Sequence, residues 1–203
     1  MKSSTDYQNW LESLPPTQGY LRKEQIIGRK FLLDKGMTSN KDEAWRFSNL
    51  NRLQNFLSLP INNNDKGSNI NFNFPEKDIY RERIIINSNS HPINNINLPK
   101  GIKQLSDKEI ERNLGQIIKK SSAKDNISIS LNQAASSELL ALKVNSNACE
   151  SLEIIFPSIE GNSSSTRIIL ILEKGSKLDL LQVFLGCHNS TQNHLIEIIL
   201  EPE

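Results

Sequence analysis

Six short apolar runs, each interrupted by polar or turn-forming residues, occupy the stretch from about Ile127 to Leu200 and most constrain what this chain can fold into. They are Ile127–Leu131, Leu139–Val144, Leu152–Phe156, Arg167–Leu172, Leu178–Val183 and His194–Leu200, with starts 12, 13, 15, 11 and 16 residues apart. The first alternates, with Ile127, Ile129 and Leu131 against Ser128 and Ser130, as a half-buried strand requires. The middle runs are continuously apolar and rich in Ile and Val, which predicts strands covered on both faces rather than helix at this length. Turn chemistry separates them at Asn145–Asn147, Gly161–Thr166 and Glu173–Gly175. The region reads as a stack of short strands.

Upstream the pattern changes to helix. Tyr7, Trp10, Leu11 and Leu14 recur at helical spacing behind the candidate caps Ser4 and Thr5, until Pro15-Pro16 ends the segment. A second helix is predicted over about Arg22 to Leu33, with Ile26, Ile27 and Phe31 as its stripe and Gly36 after its end. Ser48 is the expected cap of a third, carrying Leu50, Leu53 and Leu57 and closed by Pro60. Ile61 to Phe74 is rich in Asn, Asp, Gly and Ser and reads as a linker. Arg83–Asn87 reads as an isolated strand, and Ser106–Glu109 as a capping box opening a helix through about Lys119. The expected division is a helical region over 1–60, a linker with one strand and one helix over 61–126, and a strand core over 127–203.

At 203 residues the chain can build one good core with a smaller helical appendage. Its 24 Lys and Arg against 23 Asp and Glu leave a formal charge of +1, so no strong field recruits nucleic acid or an anionic membrane. No apolar run approaches the roughly 18 residues of a membrane span, and the first residues lack a signal-peptide core, which predicts a cytoplasmic protein. Cys149 and Cys187 are the two cysteines, too few for a disulfide framework, and the sequons at Asn126, Asn162 and Asn189 are expected to be inert.

Four passages, in this order, resemble the SufB/SufD subunits of the SUF iron-sulfur cluster assembly machinery. They are Trp45–Leu50; Ile84–Asn87 followed by Leu98–Ile102; Leu131–Ala134; and Arg167–Leu180. Order and spacing carry the likeness more than any single motif, and the short helical start is more similar to SufD than to SufB. The resemblance implies a mainly β fold, a right-handed parallel β-helix preceded by a small helical region. It implies a scaffold subunit that is not an enzyme, paired with a SufB-type homologue and a SufC-type ATPase. It also implies no cofactor held by this chain alone, an iron-sulfur cluster only at the level of the complex, and a full subunit about twice this length. On that reading the chain is the front half of the subunit, and the family's late histidine falls beyond Glu203. The alternative is a stand-alone β-rich binding module that recognises protein or carbohydrate.

Few residues suggest chemistry. Cys187-His188 with His194 is the only grouping of soft ligands, and it lacks the Cys pair that a structural zinc site wants; the plainer expectation is a loop cysteine beside two surface histidines. Cys149, before a strand, is expected to be a buried or half-buried structural thiol. Gly161–Arg167 has the small polar residues of an anion-binding loop without P-loop spacing, and is expected to be a surface loop. Trp10, Trp45 and Phe47 are expected to pack the N-terminal helices. A hydrolase would need carboxylates such as Glu153, Asp179 and Glu197 to converge.

Overall fold

The computed structural model describes residues 4–39, 41–61, 73–86 and 97–202. In chain order the elements are α1 (Ser4–Ser13), α2 (Arg22–Lys35), α3 (Asn51–Ser58), β1 (Glu82–Ile85), β2 (Ile102–Gln104), α4 (Asp107–Asn113), α5 (Gln116–Lys120), α6 (Ile127–Ala135), β3 (Glu138–Val144), β4 (Cys149–Pro157), β5 (Ser163–Leu172), β6 (Lys177–Leu185) and β7 (Thr191–Leu200). One sheet is three-stranded and parallel, in the order β1-β4-β6. The other is four-stranded and mixed, in the order β2-β3-β5-β7, with β2 antiparallel to β3 and the rest parallel.

From β3 onward, successive strands alternate between the sheets, and their turns lie against one another. Asn147 and Gly175 both take positive φ, the Asn147 amide donates to the Lys174 carbonyl at 3.0 Å, and a Cβ on Gly175 would meet Asn147 Oδ1 at 2.4 Å. Only glycine fits that close approach without displacing its neighbour.

The space between the sheets is filled by alternate residues of each strand. Leu140, Leu142, Val144, Ile168 and Leu170 on one side meet Ile84, Leu152, Ile154 and Phe156 on the other, all at 2% exposure or less. Each such side chain contributes roughly 1.5–3 kcal/mol of burial. The opposite face of the four-stranded sheet is covered as well: Ala141, Ile169 and Ile171 pack on Leu21, Leu105, Ile110 and Leu114. Cover on both faces is why the middle runs read as continuously apolar.

A third cluster joins the helices. Trp10, Leu11, Leu14, Leu32, Phe56, Leu131, Ala134 and Ala135 pack together, with the Trp10 and Phe56 rings 5.9 Å apart and tilted. Trp45 lies at the rim of this cluster, as expected, whereas Phe47 is 94% exposed, with the Arg46 guanidinium 5.6 Å from its ring centre. Helix α2 crosses α6 closely at Gly28, where a Cβ would come within 2.6 Å of the Ala134 backbone nitrogen.

The expectation of a mainly β chain built as a right-handed parallel β-helix is overturned. The architecture is mixed α/β, with helices distributed from residue 4 to residue 135 and the strands forming two small sheets, one of them mixed. The first apolar run is not a strand but helix α6. Asn126 caps it by accepting from the Ser128 amide at 2.8 Å, and Ile127, Leu131, Ala134 and Ala135 form its buried stripe at helical spacing.

Smaller corrections follow from local chemistry. The capping box at Ser106 and Glu109 is present, but its helix ends at Asn113 and restarts as α5 beyond Gly115. Gly115 has φ of 76°, which breaks the run, and a side chain there would strike Glu24 Oε1 at 2.3 Å. Leu50, not Ser48, precedes α3. The expected linker over Ile61–Phe74 lies largely outside the described residues, although Ile61 itself is buried and bridges Ser163.

Candidate functional site

Helix α6 brings the Leu131–Ala134 passage onto the covered face of the four-stranded sheet. Asn132, fully buried, donates through Nδ2 to Ser165 Oγ at 3.1 Å, the Thr166 carbonyl at 3.2 Å and the Asn193 carbonyl at 2.8 Å. One amide thus ties α6 to both β5 and β7. Two residues along β5, Arg167 is also fully buried; it pairs with Glu197 through Nη2 and approaches Glu24 at 3.6 Å through Nη1. Glu24 Oε2 accepts from Gln133 Nε2 at 2.8 Å, and the Glu197 carboxylate accepts from the Gly115 and Ile117 amides at 2.9 and 3.3 Å. One buried cation thereby joins α2, α5, α6, β5 and β7 around two carboxylates. The Gly161–Arg167 passage is therefore not a surface loop: most of it is strand β5, and its cation is a core residue.

A second polar group lies between the sheets. Glu138, Thr166 and His194 are paired in register across β3, β5 and β7, on the same inward face as Leu140, Ile168 and Ile196. The His194 ring packs against Phe156 with centres 4.2 Å apart and against Phe184 at 5.6 Å. Both its ring nitrogens are buried with no hydrogen-bond partner among the described residues, and burial pushes its pKa down to about 4. Burial pushes the Glu138 carboxyl the other way, up to about 7. Two titratable groups on one row are thus driven apart by the same loss of solvent, so that the neutral form of each is favoured.

Cys187, His188 and His194 are not brought together. Cys187 and His188 are exposed on the turn between β6 and β7, where the Cys187 amide donates to Ser158 Oγ at 3.1 Å and its thiol to the Ser158 carbonyl at 3.2 Å. His194 has turned into the space between the sheets. Among the described residues no group of three His, Cys, Asp or Glu side chains is placed to hold a metal ion. Cys149, expected to be buried or half-buried, is exposed at the start of β4.

The carboxylates that a hydrolase would need do not converge. Glu153 pairs with Arg83 at 2.5 Å and Asp179 with Arg81, both on the outer face of the three-stranded sheet, while Glu197 belongs to the buried cluster of the other sheet. Each is held by its own guanidinium.

At one end of the molecule β6 and β7 face each other and each is the last strand of its sheet, with no strand on its outer edge among the described residues. Apolar side chains remain open there: Leu181 is 39% exposed, Ile198 49%, Phe184 54% and Leu200 70%. Sequence reasoning missed this end, as it missed Glu24, Glu138 and Thr166; the compact alternation Leu-Asp-Leu in Leu178–Leu180 was the available signal for a strand with one wet face.

No family model matches the chain, no curated protein matches it, and no solved structure matches it. Among the described residues no helix is long and apolar enough to cross a membrane.

Proposed function

We propose that this chain is a non-catalytic scaffold subunit that works by protein-protein contact in iron-sulfur cluster assembly, with a SufB-type homologue and a SufC-type ATPase as partners in the cytoplasm. The observation that carries the contact half of this reading is the pair of strand edges on β6 and β7 that no strand pairs with among the described residues, flanked by half-exposed Phe184 and Ile198. An unpaired edge offers a row of backbone donors and acceptors, and a partner strand laid along it gains a ladder of hydrogen bonds while covering the apolar side chains. The assignment to the SUF system rests on the motif order from Trp45 to Leu180; the β-helix it implied does not support it.

The test is co-purification of the tagged chain with SufB-type and SufC-type proteins produced in the same cells. The expected result is a complex that survives gel filtration with the wild-type chain and is lost with Phe184→Lys/Ile198→Lys. Absence of any complex with the wild-type chain would overturn the SUF assignment. A complex indifferent to the double substitution would overturn the edge as the contact.

A further inference from the structure

We propose that the outward face of α2 is a docking surface for an acidic amphipathic helix of a partner protein. This surface is separate from the β6 and β7 edges and does not depend on the SUF reading.

Helix α2 turns Glu24, Gln25, Gly28 and Leu32 inward, where Gly28 lets it cross α6 at close range. Among the described residues no element covers the opposite face. On it Lys23, Ile26, Lys30 and Leu33 follow one another at spacings of 3, 4 and 3 residues. That is the spacing at which side chains of one helix line up along a seam with another. Ile26 is 50% exposed and Leu33 66%, with Ile27 beside them at 38%. Three aliphatic side chains so open, on a helix whose other face is fully packed, exceed what scattered surface apolar residues require.

Charge identifies the occupant. Lys23 and Lys30 alternate with Ile26 and Leu33 along the seam, Arg22 lies beside it in the first turn, Lys35 stands on the other side of the last turn, and Asp34, one turn after Lys30, is the only exposed acid on the helix. None of these four cations enters an ion pair among the described residues. Arg29 is the contrast. It is turned inward, donating to the Pro15 carbonyl at 2.5 Å and the Ala134 carbonyl at 3.3 Å. A complementary helix would place carboxylates opposite Lys23 and Lys30 and aliphatic residues opposite Ile26 and Leu33. Alternating charge of this kind selects partner and register. An anionic membrane fits less well, because cations interrupt the apolar stripe instead of bordering a broad apolar face.

The probe is a synthetic helical peptide with Glu and Leu alternating at 3- and 4-residue spacing, compared with the same peptide carrying Lys for Glu, and with vesicles of phosphatidylserine. Binding to the full chain is followed by fluorescence anisotropy at low and moderate salt. The acidic peptide is expected to bind about tenfold or more tighter than the basic one and to weaken with salt. Lys23→Glu/Lys30→Glu should reverse that preference, and Leu33→Ser should weaken both peptides without altering the circular dichroism of the exposed-site variants. Equal affinity for the two peptides, no binding of either, or binding to vesicles alone would each overturn the proposal.

Discussion

Glu138 and His194 lie on one inward row of the four-stranded sheet, each paired in register with Thr166 between them, and burial drives their proton affinities in opposite directions. The folded chain holds neutral His194 down to about pH 4, whereas an unfolded histidine takes up its proton near 6.5. Between those values the unfolded state binds more protons, so the His194 contribution to stability grows as pH rises. Glu138 is the mirror case. The folded chain keeps its carboxyl protonated up to about pH 7 while the unfolded chain releases it near 4.5, so this contribution shrinks as pH rises. Over the shared window the two slopes cancel. Stability of the wild-type chain, read as the urea midpoint, should therefore show little dependence on these two groups between about pH 4.5 and 6.5. His194→Phe should uncover a fall in stability with rising pH, and Glu138→Gln a rise, each of about 3 kcal/mol across its window. Parallel slopes in the two variants would show that the row does not titrate in this way.

Phe156 and Phe184 stack with ring centres 5.0 Å apart, yet one is 1% exposed and the other 54%. Phe156→Ala opens a cavity between the sheets and should cost about 3–5 kcal/mol in urea unfolding. Phe184→Ala removes a side chain that is already half in water, and should cost about 1 kcal/mol. Equal losses would mean that the open end is covered in solution by something bound to β6 and β7.

What the sequence made legible was local. The Ser106–Glu109 capping box, the Pro15-Pro16 stop after α1 and the Leu152–Phe156 strand each carry their signal within a few residues, and all stand in the structure. The run Ile127–Leu131 misled because its residues satisfy two periods at once: Ile127, Ile129 and Leu131 alternate, but Ile127 and Leu131 are also one helical turn apart. Asn126, the residue that decides for helix, bonds to the Ser128 amide and leaves no mark on the apolar pattern. The buried cluster was hidden for a different reason. Arg167 meets Glu24 only after α2 has been carried across α6, and Glu138 joins the row of His194 only across three strands, with Thr166 between them. No window of sequence contains either pair, so charge that reads as surface is in fact core.

Gly28 tests the helical layer. Its missing side chain sets how closely α2 approaches α6, since a Cβ would lie within 2.6 to 2.7 Å of Ala134 N, Gln133 Cβ and Ser130 O. Two of these are backbone atoms that cannot swing aside. Gly28→Ala would raise helix propensity by about 1 kcal/mol, but overpacking should outweigh it and lower stability by about 1–3 kcal/mol. A gain in thermal midpoint would show that the helices can slide apart without loss.

Arg167 tests the cluster beneath them. The guanidinium is fully buried between Glu197 and Glu24, so replacing it leaves two carboxylates without their common cation in a site closed to water. Arg167→Met keeps most of the volume and removes the charge, and it should cost about 3–5 kcal/mol, the usual result of stripping one partner from a buried ion pair. Adding Glu24→Gln and Glu197→Gln to that variant removes the stranded charges. Glu24→Gln keeps an oxygen for the Gln133 amide, and Glu197→Gln keeps one for the Gly115 amide. The triple variant should therefore recover much of the loss, because most of the cost lies in unpaired charge and not in packing. The comparison is a set of urea unfolding curves for the wild type, the single and the triple variants. If the triple variant is no more stable than Arg167→Met, the bond from Arg167 to the two carboxylates is not what holds α2, α5 and α6 to the sheet, and the apolar contacts of Leu131, Ala134 and Leu32 carry that junction instead.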